Sequence, residues 1–402
     1  MRIALVTGHA IPVPPRLSGP AAARYPHAQG VGVAALGRAL AALDHQVTIY
    51  ARKDSPARPR TGSAAGVKIE YLPAGPAAPL PEDELVSQLG SFSGELARRW
   101  RQTPPDVVHA HFWTSGLAAL AASRGLPAPV VQTFHTLSAR PGSQGQHAAR
   151  PGTCAARSRL EAVIARSVTA VLAGSCGEMS ALARLGVPRT SMRVVPAGVD
   201  TEKFGPAGPV ARRSKRPRLL AVSALAAEHG LDTVVKALAW VPGAELVIAG
   251  GPPRAQLTSD PALRELARLA DRLKVRDRLL FAGEVTRARM PALLRSADLF
   301  IHVAPDEPDG LVAVEAMACG TPVVASAGCA QQDAIVDGAT GALIAPGDPA
   351  ALARRVRQLL RSPMLLQGYG IAAADRVRTR YSWERIGQDT LAVYEGSRKA
   401  GA

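Results

Sequence analysis

The sequence predicts an α/β chain built as two doubly wound, Rossmann-like domains facing across a cleft, and three observations carry that reading. Short apolar runs alternate with longer helical patterns from end to end, as parallel strands covered by helices require. The 402 residues exceed one ordinary domain, and at 47% hydrophobic residues each half can bury its own core. The alternation pauses at the Arg-rich run Arg212-Arg213-Ser214-Lys215-Arg216-Pro217-Arg218 and then restarts.

In the first half the expected strands are Ile3–Thr7, Val47–Tyr50, Val67–Tyr71, Val107–His111, Val130–Phe134, Ala170–Ala173 and Met192–Val195. An Ala- and Leu-rich stripe marks a helix over Val31–Leu43, and another helix is expected over Ala156–Arg166. The second half supplies Leu219–Ser223, Glu245–Ala249, Leu279–Ala282, Leu299–Val303, Pro322–Ala325 and Ala342–Ile344. Domain limits of 1–198 and 199–380 follow, with 381–402 as a last helix. In sheets of this kind ligands bind at the carboxyl ends of the strands.

The net charge of +16 raises a nucleic-acid or membrane reading, but the arginines are spread along the chain with no aromatic-interleaved stripe. No nucleic-acid partner is expected, and the 212–218 run reads as a solvated interdomain linker. A basic surface leaves peripheral contact with an anionic bilayer open. Met1–Thr7 is too short and strand-like for a signal peptide, and no apolar run approaches the roughly 20 residues that span a bilayer. Cys154, Cys176, Cys319 and Cys329 show neither zinc spacing nor a CxxC pair, so thiols in a reducing cytoplasm are expected.

The most informative segment is Glu307-Pro308-Asp309-Gly310-Leu311-Val312-Ala313-Val314-Glu315, which runs into Ala316-Met317-Ala318-Cys319-Gly320-Thr321-Pro322. Two carboxylates eight residues apart flank a glycine that opens a helix, an arrangement suited to a nucleotide-sugar. The N–H groups of Gly310, Leu311 and Val312 would face phosphate at the helix N-terminus. Glu315, one turn further in, would take a ribose diol, and Glu307 would touch the sugar. A glycosidase acid–nucleophile pair is disfavoured, because one loop–helix unit cannot place two carboxylates on opposite sides of a bond.

The segment resembles the E-x7-E signature of family 4 retaining glycosyltransferases, which share the two-domain GT-B fold. Further landmarks are Asp106-Val107-Val108-His109-Ala110-His111, Gln132-Thr133-Phe134-His135, Val195-Pro196-Ala197-Gly198-Val199-Asp200, Asp337-Gly338-Ala339-Thr340-Gly341 and Tyr381-Ser382-Trp383. The resemblance covers nearly the whole chain. It implies a nucleoside-diphosphate-sugar donor, an unspecified acceptor, retention of configuration, and no metal or other cofactor. It makes His135 and Glu307 the residues at the reacting sugar. Glu315, Gly310, Leu311, Val312, His229 and Gly30 become donor-binding residues, and the last helix crosses back to the first domain.

The chain also departs from the family pattern. Asp309 stands where the family has Phe, and its carboxylate is expected to cap the helix that follows. Ala224 and His229 replace an Arg and a Lys that meet the donor diphosphate, and His229 is either a partial substitute or a neutral surface residue. Arg254 is a further cation in reach of that role. His27-Ala28-Gln29-Gly30-Val31-Gly32 replaces a Gly-Gly loop, and Cys329-Ala330 replaces a second Gly-Gly. These departures keep an alternative in play, a catalytically silent homologue acting as a binding or partner subunit.

His109 and His111 alternate on one strand face and so read as acceptor-binding or as a structural pair; zinc would need a third ligand that the sequence does not supply. Glu161 reads as solvated or ion-paired, Arg287 and Arg289 as a polar helix start, and 138–151 as an acceptor-shaping loop.

Overall fold

The computed structural model describes residues 1–8, 27–138, 153–223, 230–304 and 310–401. The chain divides into two compact units, Met1–Gly198 with Trp383–Ala402, and Val199–Ser382.

The first unit runs β1 (Arg2–Thr7), α1 (His27–Ala41), β2 (Gln46–Arg52), β3 (Thr61–Ala64), β4 (Val67–Leu72), α2 (Glu82–Ser87) and α3 (Leu89–Gln102). It continues with β5 (Val107–His111), α4 (Trp113–Ala122), β6 (Val130–Thr133), α5 (Thr153–Ser167), β7 (Ala170–Ala173), α6 (Cys176–Arg184) and β8 (Met192–Val194). Its strands order as β3-β4-β2-β1-β5-β6-β7-β8, all parallel except the β3–β4 pair. Every residue of β5 is buried and only Arg2 of β1 is exposed, because helices cover both faces of a parallel sheet.

The second unit runs β9 (Arg218–Val222), α7 (Leu231–Leu238), β10 (Glu245–Ala249), α8 (Pro261–Arg272), β11 (Leu279–Gly283), α9 (Met290–Arg295) and β12 (Leu299–His302). Then follow α10 (Leu311–Ala318), β13 (Val323–Ser326), α11 (Cys329–Ala334), β14 (Ala342–Ile344), α12 (Pro349–Leu360) and α13 (Pro363–Arg380). The sheet is parallel throughout, in the order β11-β10-β9-β12-β13-β14. Helix starts are marked by the chemistry at their ends. Asp260 and Asp348 cap α8 and α12 through the N–H groups of Leu263 and Ala351, each followed by a proline at the first helical position.

The last helix, α14 (Trp383–Gly401), belongs to the first unit and packs on α1. Ile386 and Tyr394 join the core made by Leu5, Val33, Leu40 and Ile49. Gly387 meets Ala39 so closely that a Cβ there would lie 3.1 Å from the alanine methyl.

Three expectations change. The 212–218 run is solvated but is no interdomain linker: it lies beyond Gly198, where the expected domain limit also falls, and belongs to the second unit, with 212–217 exposed and only Arg218 buried. Arg213 pairs with Asp298 at 2.7 Å, and Arg218, only 5% exposed, pairs with Glu245 at 2.7 Å and reaches Ser296 Oγ. The stretch 27–32, expected as an open glycine loop, is the first turn and a half of α1, with Gly30 buried. The edge strand β3 was not expected at all.

Candidate functional site

Both sheets change direction once. β1 lies between β2 and β5, and β9 between β10 and β12, so each unit has a switch point where ligands of doubly wound sheets bind. The chemically distinctive side chains of each unit gather at the carboxyl ends of these strands.

In the first unit β5 ends with His109 and His111 on one face, their rings 4.2 Å apart. The chain then turns through Phe112 and, after β6, through His135, both at positive φ (70° and 62°). Such backbone in non-glycine residues persists only where surrounding contacts over-determine it. His111 Nδ1 lies 3.1 Å from His135 Nε2 with the rings stacked, and Phe112 packs against His135. His109 is 1% exposed and holds Tyr394 Oη at 2.7 Å through Nδ1 and Thr133 Oγ1 at 2.8 Å through Nε2. Burial, aided by His135, pushes the His109 imidazole down to about 3 and holds that of His111 well below its usual value. Both rings are therefore neutral at pH 7, each with one nitrogen that donates and one that accepts.

The segment after His135 is fixed from below. Fully buried Glu161 accepts from Ser138 N–H and Oγ–H and pairs with Arg157 at 2.7 Å, while Arg157 also donates to Thr136 O and Oγ1. Of the two readings of Glu161, the ion pair holds and solvation does not. The Arg157–Glu161 spacing of four residues on α5 was the available signal in the sequence.

In the second unit Gly310 occupies the N-cap position of α10 in a left-handed conformation (φ 54°), and no side chain caps the helix among the described residues. The cap position expected for Asp309 is thus Gly310, and Asp309 itself lies outside the described residues. Leu311 and Val312 form the first turn, with their N–H groups at the helix's positive end. Glu315 follows in the second turn, 1% exposed, its carboxylate paired with Arg287. The Arg287 guanidinium lies 4.5 Å from the Phe204 ring centre, so it is held from two sides. The sequence reading of Arg287 as part of a polar helix start missed this pairing. Arg254 is exposed at the start of a short 3₁₀ turn. Glu307, Ala224 and His229 lie outside the described residues, as does most of the 138–151 loop. Their neighbours show where they attach: 224–229 follow β9 and 305–309 follow β12, the two strands at the switch point.

Among the described residues no group of three or more His, Cys, Asp or Glu has metal-binding geometry, and no helix is long and apolar enough to cross a membrane.

The comparisons with known proteins agree with this layout. Residues 29–203 match the model of Glycosyltransferase Family 4, and residues 208–376 match that of Glycosyl transferases group 1. The chain is 33% identical to a D-inositol 3-phosphate glycosyltransferase of Xylanimonas cellulosilytica, covering 99% of this chain and 97% of the relative. It is 31% identical to one of Mycobacterium marinum, covering 98% and 85%. In three dimensions it resembles sucrose-phosphate synthase from Thermosynechococcus elongatus, with a TM-score of 0.79, 26% identity and 99% of each chain covered. With family models on both units and relatives alike over nearly its full length, the chain belongs to the family 4 glycosyltransferases of the GT-B fold.

Proposed function

We propose that the protein transfers a sugar from a nucleoside-diphosphate sugar to an acceptor hydroxyl with retention of configuration, the second unit holding the donor. The observation that carries this is the N-terminus of α10 at the switch point, which no side chain among the described residues caps, with the buried Glu315 carboxylate one turn further in. The first-turn N–H groups and the helix dipole favour a diphosphate at that end, and a fixed carboxylate suits the two hydroxyls of a ribose. In the step itself the bond between the anomeric carbon and the diphosphate oxygen breaks. A bond from the acceptor oxygen forms on the same face, and the acceptor proton passes to the departing diphosphate. The negative charge that develops on the leaving group meets the N–H groups of Leu311 and Val312. His135 lines the sugar face and Glu307 holds a donor-sugar hydroxyl. No side-chain nucleophile, metal or other cofactor enters the scheme.

Relatives named as D-inositol 3-phosphate glycosyltransferases make a phosphorylated polyol the first acceptor to try, and the net charge of +16 favours an anionic one. The same charge would allow peripheral contact with an anionic bilayer. Reduced thiols at Cys176 and Cys319 fit a cytoplasmic setting. Nothing in the described residues favours the silent-homologue reading. The test is calorimetric titration with UDP, GDP and ADP, followed by a screen of the matching sugar donors with NMR of the product's anomeric centre. Micromolar binding of one nucleotide and a retained anomer are expected; a folded protein that binds none of the three refutes the reading.

A further inference from the structure

Gln331 presents an anomaly in the second unit. It is 1% exposed, and among the described residues neither its Nε2 nor its Oε1 has a hydrogen-bond partner. Buried amides are almost always paired, because an unpaired one loses its water contacts for nothing in return. Its place in the fold supplies a reason. Gln331 is the third residue of α11, and its Nε2 lies 3.9 Å from the point where a Cβ on Gly310 would sit. The unpaired amide therefore stands beside the uncapped N-terminus of α10. The backbone of the helix that carries it is held at its end. Ile335 N–H donates to the Gln331 carbonyl, and Arg376 and Tyr381 donate to the carbonyls of Asp333 and Ala334 at the end of α11. A buried amide on a backbone held in this way, with no partner of its own among the described residues, is placed to meet a ligand.

We propose that Gln331 is a donor-binding residue whose amide meets the phosphate-sugar end of the bound nucleotide-sugar. The inference rests on the donor site placed at α10 above. Nε2–H donates to a phosphate oxygen, and Oε1 accepts from a hydroxyl of the transferred sugar, so one side chain serves both partners that such a donor offers at this point. The need for it is visible in the sequence: the segment Ser223-Ala224-Leu225-Ala226-Ala227-Glu228-His229-Gly230, which follows the central strand, carries no Lys or Arg. A neutral amide then takes part of a load that elsewhere falls to cations.

The test compares wild type with Gln331→Met, Gln331→Glu and the exposed neighbour Gln332→Ala, titrated calorimetrically with UDP, GDP and ADP and with their monophosphates. For the nucleotide that wild type binds, Gln331→Met is expected to weaken the diphosphate by tenfold or more and the monophosphate by less than twofold. Gln331→Glu, which places a carboxylate beside the phosphates, is expected to bind the diphosphate still more weakly. Gln332→Ala is expected to match wild type. The ligand-free Met variant is expected to melt no lower than wild type, since it loses an unpaired buried amide. Diphosphate affinity within twofold of wild type in a folded Met or Glu variant overturns the proposal. So does a lowered melting temperature with equal losses for mono- and diphosphate, which marks a packing role. Wild type that binds no nucleotide removes the donor site itself, and this proposal with it.

Discussion

Acidification offers a direct probe of the buried histidines. His109 is neutral inside the first unit, with its pKa pushed down to about 3, whereas in the unfolded chain an imidazole takes a proton near 6.5. Between those values the unfolded state binds more protons, so stability is fully present above pH 6.5 and is lost as pH falls below it. The slope is about 1.4 kcal/mol per pH unit for each such group, or roughly 2 kcal/mol by pH 5 for His109 alone. His111, shifted in the same direction, adds a loss of the same sign. For a unit of this size, 2 kcal/mol corresponds to about 4–8 °C of melting temperature. The assay is scanning calorimetry at half-unit steps from pH 7.5 to 5, on wild type and on His109→Gln, whose amide can bond Tyr394 and Thr133 without titrating. The expected result is an acid slope in wild type that shrinks by about 1.4 kcal/mol per pH unit in the variant. A wild-type profile flat from pH 7 to 5, or an undiminished slope in His109→Gln, refutes the reasoning.

Three other outcomes are expected. Arg287→Met leaves the buried Glu315 carboxylate without its cation. Since Arg287 is itself half exposed, we expect a loss of about 1–3 kcal/mol, below the usual figure for a fully buried pair. A double-mutant cycle with Glu315→Gln, read by melting temperature, should show coupling, and independent effects would sink the pairing. Arg218→Met should lower the urea midpoint of the second unit by an amount equivalent to about 3–5 kcal/mol, and Arg218→Met with Glu245→Leu should recover most of it; no drop in the single variant would show the pair to be idle. Gly250 has φ 123°, and a Cβ there would lie 2.1 Å from Ser223 O, so Gly250→Ala should force β9 and β10 apart and cut soluble yield; normal yield and melting would contradict this.

The parallel strands were legible because burial on both faces writes them as unbroken aliphatic runs, as in Leu219–Val222 or Leu246–Ala249. The edge strand β3 was not, since Thr61-Gly62-Ser63-Ala64 carries no apolar side of its own and pairs only because β4 offers it an edge. Charge misled at Arg218: an arginine in a basic run reads as solvated, and its partners Glu245 and Ser296 lie 27 and 78 residues away. At the candidate site the residue types could be read, while their couplings could not. His109 and His111 share a face by simple alternation, yet the partner of His109 is Tyr394, 285 residues later. Glu315 was singled out by its spacing from Glu307, but Arg287 comes from the segment before α9. The unpaired amide of Gln331 exists only once α11 is laid against α10, so no local pattern announces it.

The chain leaves its first unit at Gly198 and returns only at Trp383. A ribosome therefore finishes the second unit before the first can close. Until α14 emerges, the apolar face of α1 lacks Ile386 and Tyr394, and His109 waits for the hydroxyl that holds its ring. The usual order, in which the amino-terminal domain folds while the rest is still being made, is expected to be reversed here. Stalled or prematurely released chains would carry a finished second unit and an unfinished first one with an open hydrophobic seam. Nascent-chain proteolysis should accordingly find the stretch from Val199 onward protected first, and the opening strands of the polypeptide last.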